Sequence, residues 1–275
     1  MIYKKAISSI LRVFLEAFFP VKCFVCGSWI DVKNEFSSFC QKTLQWEKGE
    51  MPDTFFICES CLNNFIPVKP PFCLKCGIMF QSDAAENHIC GSCLKNSGKF
   101  RSARSFGVYD QALMKAIHSL KYKGKIQLAR PLGMILFLTF MNFFKVEQVD
   151  MVFPVPLHVK RLRQRGFNQA LLLIRHWPEN ARQLKIDSLH FKIDKDLLIR
   201  NRWTEPQTGL GRELRAANIK GAFTLKKKSL IKGKNILLVD DVYTTGATVR
   251  ECSKVLLNGG AASVDVLTLA QTVQL

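Results

Sequence analysis

Eight of the ten cysteines stand in four Cys-x-x-Cys pairs, Cys23/Cys26, Cys58/Cys61, Cys73/Cys76 and Cys90/Cys93. Two residues between cysteines let both thiolates of one tight turn reach the same tetrahedral ion, so four turns supply two four-thiolate sites. Glycine follows the first and third pairs, at Gly27 and Gly77, and lets backbone N–H groups turn towards sulfur; the second and fourth pairs lack it. This repeat predicts sequential sites, 23/26 with 58/61 and 73/76 with 90/93, with a crossed pairing as the alternative. Closed four-thiolate sites leave no position for a substrate, so the predicted metals are two structural zinc ions. Thiols kept for metal rather than disulfides point to a reducing compartment, the cytosol. Cys40 and Cys252 stand outside the pattern and read as buried thiols.

A second chemical signal is ILLVDDVYTTGATVREC, residues 236–252. An apolar strand delivers two consecutive carboxylates, Asp240 and Asp241, to the carboxyl edge of a sheet, where open α/β folds place ligands. The loop Thr244-Thr245-Gly246-Ala247-Thr248 then enters a helix. Backbone N–H groups at a helix start, hydroxyl donors and a glycine that permits close approach form a cradle for a phosphate monoester. Thr248 and Glu251 also have capping-box spacing, so part of the loop is explained by helix initiation. Acidic acceptors beside a phosphate cradle suit a sugar phosphate. Upstream, a basic turn through Arg161, Arg163 and Arg165, with the backbone of Gly166, is suited to a diphosphate, the alternative being a solvated turn. Residues 200–218 mix Arg, Thr, Pro, Gln and Gly with few large apolar residues and are expected to form a mobile loop. Its Trp203 is read either as a base-stacking platform or as the loop's anchor. His118 and His158 lack partners at metal-ligand spacing.

The elements that position these groups follow from apolar patterning. Strands are expected at 150–156, 235–241 and 263–270, helices at 168–177 and 248–257, the alternation of a parallel sheet with flanking helices. The apolar run 135–144 is too short to span a bilayer and is expected in the core. Residues 1–20 read as an amphipathic helix, with Ile7, Ile10, Leu11, Phe14 and Phe18 on one side; docking on its own protein is preferred to lying on a membrane surface. Lys and Arg number 40 against 22 Asp and Glu, a net +18. Residues 1–98 hold 10 basic and 9 acidic side chains, residues 99–275 hold 30 and 13. The second part therefore carries the attraction for polyanions. The expected organisation is a helix at 1–20, a double zinc ribbon at 21–98 and an α/β domain at 99–275.

The strand, both acids and the Thr-Thr-Gly-x-Thr loop together resemble the phosphoribosyl pyrophosphate signature of type I phosphoribosyltransferases. Tyr109 with KYKG (121–124), PVPLH (154–158), RGFNQA (165–170), R-x-R-x-T-x-P-Q (200–207) and a later R-x-x-N-x-x-GAF (215–223) are similar to the ComF family of late competence proteins. The resemblance covers nearly the whole chain. It implies a parallel-sheet type I phosphoribosyltransferase α/β fold with a small amino-terminal zinc-ribbon domain. It further implies magnesium with phosphoribosyl pyrophosphate as ligand. Asp240 and Asp241 would lie on the ribose, Thr244 to Thr248 on the 5'-phosphate, and Arg165 with the flexible-loop arginines Arg212 and Arg215 on the leaving group. The implied role is DNA uptake, with single-stranded DNA and uptake-machinery proteins as partners, in the cytoplasm or at the inner face of the membrane. The acceptor of ribose phosphate has no readable signature. A metabolic phosphoribosyltransferase and a non-catalytic sensor of phosphoribosyl pyrophosphate are the alternative readings.

Overall fold

The computed structural model describes residues 21–30, 35–46, 56–80, 86–95, 99–186, 189–204 and 217–272. The helix expected over residues 1–20, and Arg212 and Arg215, lie outside them. Among the described residues, five parallel strands are ordered β1-β7-β6-β2-β3: β1 is Ala103–Val108, β2 Met151–Pro154, β3 Lys192–Ile193, β6 Asn235–Tyr243 and β7 Ser263–Gln271. A separate antiparallel pair joins β4, Leu198–Arg200, to β5, Phe223–Leu225.

The central strands are apolar on both faces, as parallel strands covered on both sides must be. Alternation sends Leu237, Val239, Leu267 and Leu269 into one apolar layer and Ile236, Leu238, Val264 and Val266 into the other. The first layer is filled by α4 (Gln111–Tyr122), α5 (Ala129–Phe143), α7 (Gln169–Ile174) and α8 (Trp177–Gln183); the second by α9 (Ala247–Asn258) and the β4–β5 pair. α5 contains the apolar run and is buried along residues 131–140, the environment of a core helix rather than a lipid-facing one. Its Asn142 amide donates to the Leu44 carbonyl at 2.9 Å.

The cysteine region grips this sheet at its β1 edge. The first ribbon, with α1 (Glu35–Leu44) and α2 (Glu59–Asn63), contributes Cys23, Phe39, Cys58, Cys61 and Phe65 to the first apolar layer, where Phe39, Phe65 and Phe106 meet edge to face at 6.1–6.3 Å. The second ribbon, with α3 (Gly91–Lys95), sends Cys73 and Cys76 into the second layer. Between the ribbons the chain runs antiparallel along β1: Val68 N donates to Phe106 O and Val108 N to Ile66 O, both at 2.8 Å. A Cβ on Gly107 would stand 2.7 Å from the Ile66 carbonyl oxygen, a backbone atom that cannot swing aside. Gly107→Ala is expected to destabilise the holoprotein by about 1–3 kcal/mol through overpacking. An unchanged urea midpoint would mean that this segment does not sit on β1.

Three sequence expectations change. The helix expected at 168–177 is two: α7 ends at Ile174 and α8 starts at Trp177 with Pro178 in its first turn, a position proline favours while it cannot continue a preceding helix. The basic turn is a helix, α6 (Val159–Arg165), capped by His158 Nδ1 accepting from Lys160 N at 3.2 Å. Arg200, expected in the loop, instead closes β4 and pairs with Phe223 of β5. Residues 205–216 lie outside the described residues.

Candidate functional site

In each cysteine pair-of-pairs the sulfurs come together as a sequential set, Cys23, Cys26, Cys58 and Cys61 in one, Cys73, Cys76, Cys90 and Cys93 in the other, all within 4.8 Å of one another. Four thiolates 2.3 Å from one ion at tetrahedral angles stand about 3.8 Å apart. Cys23–Cys61 measures 3.8 Å, and Cys26–Cys58 and Cys76–Cys90 measure 3.7 Å. Both clusters therefore fit a tetrahedral thiophilic ion. The two are built alike. Gly27 N donates to Cys23 O and Gly77 N to Cys73 O at 2.8 Å, with both glycines left-handed. Backbone amides of Val25 and Cys58 reach Cys23 Sγ at 3.4 Å, and those of Cys76 and Cys90 reach Cys73 Sγ at 3.4 and 3.3 Å. These donors stabilise thiolate charge. Cys40 and Cys252 are buried away from both clusters, as expected, and burial pushes the Cys40 thiol up to about 12.

The second site lies where β6 ends. Tyr243 closes the strand, and Gly246, at φ +73°, turns the chain into α9. A Cβ on Gly246 would stand 2.4 Å from the Tyr243 hydroxyl and 3.0 Å from an Arg250 guanidinium nitrogen, so this position is closed to any larger residue. Arg250 donates to the Thr245 carbonyl, and Ala247 N to Thr245 Oγ1 at 3.4 Å. The loop is thus braced from beneath, while Thr244, Thr245 and Thr248 keep partial exposure. The first amides of α9 have no intrahelical acceptor and, with the helix dipole, favour an anion here. The capping box is not formed: Gly246 is the N-cap, and Glu251 accepts the Gly221 amide at 2.8 Å.

Asp240 and Asp241, adjacent in a strand, face opposite sides. Asp241 is 3% exposed; it pairs with Lys121 of α4 and accepts from Gln169 Nε2 of α7 at 3.3 Å. Burial alone would raise its pKa, but the Lys121 ammonium holds it below the ordinary carboxylate value. Asp240 retains partial exposure, and its Oδ1 accepts the Asp241 amide at 2.9 Å. Burial and the neighbouring Asp241 charge push its pKa well up. The Cys252 thiol, on α9 below it, is pushed up by burial and by Asp240.

Arg165 leaves the end of α6 to donate to Gln169 Oε1 at 2.5 Å, its guanidinium 5.1 Å from the Tyr122 ring centroid. The Gly166 amide closes α6 by donating to Leu162 O at 2.8 Å, so it is engaged within the helix rather than offered to a ligand. Trp203 anchors its segment, edge-on to His158 at 5.4 Å with Arg161 at 5.3 Å from its ring. Asn168, which precedes α7, ties the site together: its side-chain oxygen caps α7 through Ala170 N at 2.9 Å and its amide donates to Val155 O at the end of β2. Lys121, Gln169, Tyr243 and Arg250 were not among the sequence-predicted site residues. Lys121 and Gln169 stood in motifs already singled out, but nothing in spacing says that a lysine 120 positions away pairs with Asp241.

A family model described as a phosphoribosyl transferase domain matches residues 181–273. The chain is 30% identical over 259 residues to Competence protein F of Haemophilus influenzae, covering 92% of this chain and 98% of that one. It is 32% identical over 207 residues to DNA utilization protein YhgH of Escherichia coli O6:H1, covering 73% and 84%. Competence protein ComFC of Bacillus subtilis is 28% identical over 225 residues, covering 78% and 84%. The match to Competence protein F takes in nearly all of both chains, and on that extent the chain belongs to the ComF family.

Proposed function

We propose that this protein serves DNA uptake and binds phosphoribosyl pyrophosphate, with magnesium, in the cradle at the end of β6. The observation that carries the reading is the left-handed Gly246 between the acidic end of β6 and the first amides of α9, a loop braced by Tyr243 and Arg250 with three threonines at its surface. Thr244 to Thr248 hold the 5'-phosphate, the acid pair serves the ribose side, and Arg165 with Arg212 and Arg215 meets the diphosphate. Magnesium belongs to the substrate, shielding the diphosphate while keeping some of its waters. In transfer, an acceptor's lone pair forms a bond to the anomeric carbon as the bond to pyrophosphate breaks. Pyrophosphate leaves with the electron pair, and the acceptor loses its proton. The protein contributes position and charge stabilisation, as phosphate-site enzymes do.

The two cysteine clusters hold structural zinc. The basic half, residues 99–275, receives single-stranded DNA entering the cytoplasm, handed on by uptake proteins. Calorimetric titration of the zinc-loaded protein with magnesium phosphoribosyl pyrophosphate, alone and with a single-stranded oligonucleotide present, tests the reading. Gly246→Val should abolish measurable binding through the Tyr243 contact and the left-handed φ, at the cost of a lower but still cooperative thermal melt. Equal binding by wild type and this variant would remove the ligand from the cradle.

A further inference from the structure

The second cysteine cluster and the phosphate loop lie in one layer of the core, and Tyr243 stands between them. Its side chain is buried in the layer that holds Cys73, Cys76, Phe100 and Ala247, against which Cys90 and Cys93 also pack. Phe100, which leads from the second ribbon into β1, meets the Tyr243 ring edge to face at 6.4 Å. Cys76, Cys90 and Cys93 are close enough for their charge to reach the Tyr243 hydroxyl. That hydroxyl is also the atom that fills the space beneath Gly246, with the Arg250 guanidinium beside it. Two hydrogen bonds run the same way. The Gln271 side-chain amide at the end of β7 donates at 2.8 Å to the carbonyl of Gly77, the turn glycine of the third cysteine pair, and Thr272 N donates to Tyr243 O at 3.0 Å. Cys23, Cys58 and Cys61 of the first cluster pack instead in the opposite layer, which includes neither Tyr243 nor Ala247.

We propose that Tyr243 is a positioning residue through which the second cluster sets the phosphate loop, so that the ion held by Cys73, Cys76, Cys90 and Cys93 and the phosphate held at residues 244–248 are coupled. The proposal rests on the cradle reading and deepens it by naming what regulates that site. A ring in a close-packed interior has no free volume in which to absorb a displacement of the cysteine turn. A shift at its cluster end is therefore delivered to Gly246 at its hydroxyl end. Such coupling is reciprocal: what the second cluster does to phosphate affinity, bound phosphate does to the second cluster. The first cluster has no such route to the loop, so two sites built alike have different consequences.

The test uses the full-length protein with cadmium in place of zinc in both clusters, so that NMR gives one metal resonance for each. Ser28→Ala removes the hydroxyl that stands 2.7 Å from Cys26 Sγ, and the resonance it moves is that of the first cluster. Saturating magnesium phosphoribosyl pyrophosphate should shift the second cluster's resonance and leave the first in place. Tyr243→Phe removes only the atom beneath Gly246. In the zinc-loaded protein it should weaken binding of the same ligand about tenfold with little change in melting, and in the cadmium protein saturating ligand should no longer shift the second resonance. A side chain with a merely structural role would lower the melting temperature and leave the metal signal responsive. Bound ligand that moves both resonances alike, or neither, would overturn the proposal on wild type alone. A Tyr243→Phe protein that keeps wild-type affinity, or keeps the shift, would do the same. A wild type that gives no calorimetric binding would overturn the cradle reading and the coupling with it, whereas binding that leaves the second resonance still removes the coupling and keeps the cradle.

Discussion

Withdrawing metal from either cysteine cluster is expected to unfold the sheet together with the ribbon around it. Cys23, Cys58 and Cys61 pack in the same apolar layer as Leu113, Leu132 and Phe137, and Cys73 and Cys76 in the same layer as Leu238 and Val266. A structural zinc contributes about 10–16 kcal/mol of apparent binding free energy to such a site, against a whole-domain stability of about 5–15 kcal/mol, so loss of one ion exceeds what the sheet can supply. Trp177, fully buried against Phe140 at 5.2 Å on the far side of that layer, reports the body rather than the ribbons. In a variant that keeps Trp177 and replaces the other three tryptophans with phenylalanine, chelation should shift its emission to that of an exposed indole. Protein prepared without chelator should contain two zinc ions per chain. Unshifted Trp177 emission after complete metal removal would make the ribbons separable modules, and a content near one would leave one cluster without its ion.

Single-stranded DNA affinity should fall steeply with salt and depend little on sequence. No finger or helix-turn-helix is evident among the described residues, and backbone neutralisation is largely sequence-blind. For about five phosphate contacts at a slope of 0.7 each, a fourfold rise in salt lowers affinity roughly a hundredfold. Dividing the chain at residue 98 would separate the two charge classes but also cut through the apolar layers they share. The layers shared between the two parts make the intact protein the proper object, and charge reversal the proper perturbation. Lys160, Arg161 and Arg163 lie on α6, where Lys160 and Arg161 approach the Trp203 ring at 6.0 and 5.3 Å. Changing these three to glutamate should flatten the salt slope by about 2. Affinity indifferent to salt, or a triple variant with the wild-type slope, would take DNA off this face.

Much of this was legible because it is local. Four cysteine turns, glycine following the first and third alone, carry their pairing in their order, and β6, the Gly246 loop and α9 follow from one apolar run, one glycine and one helical pattern. What failed was the reading of groups whose partners are distant. Thr248 and Glu251 have the spacing of a capping box, yet Glu251 accepts from Gly221, thirty positions away. The three arginines of residues 161–165 looked like a turn because charge outweighs apolar periodicity in so short a stretch; His158 and Gly166 make it a helix by capping both ends. The two acids of β6 read alike in sequence, and only a lysine from α4 sets them apart.

The pairing of β1 constrains how the chain acquires its structure during synthesis. One edge of β1 is met by residues 66–68, made shortly before it, and the other by β7, residues 263–271, made long after it. The early ribbons therefore shield one flank of a strand whose other flank stays bare until β7 is made. Strand addition by a stranger is a hazard at any such flank. It ends only when β7 arrives, so a chain that stops before β7 should yield insoluble product rather than a smaller folded protein.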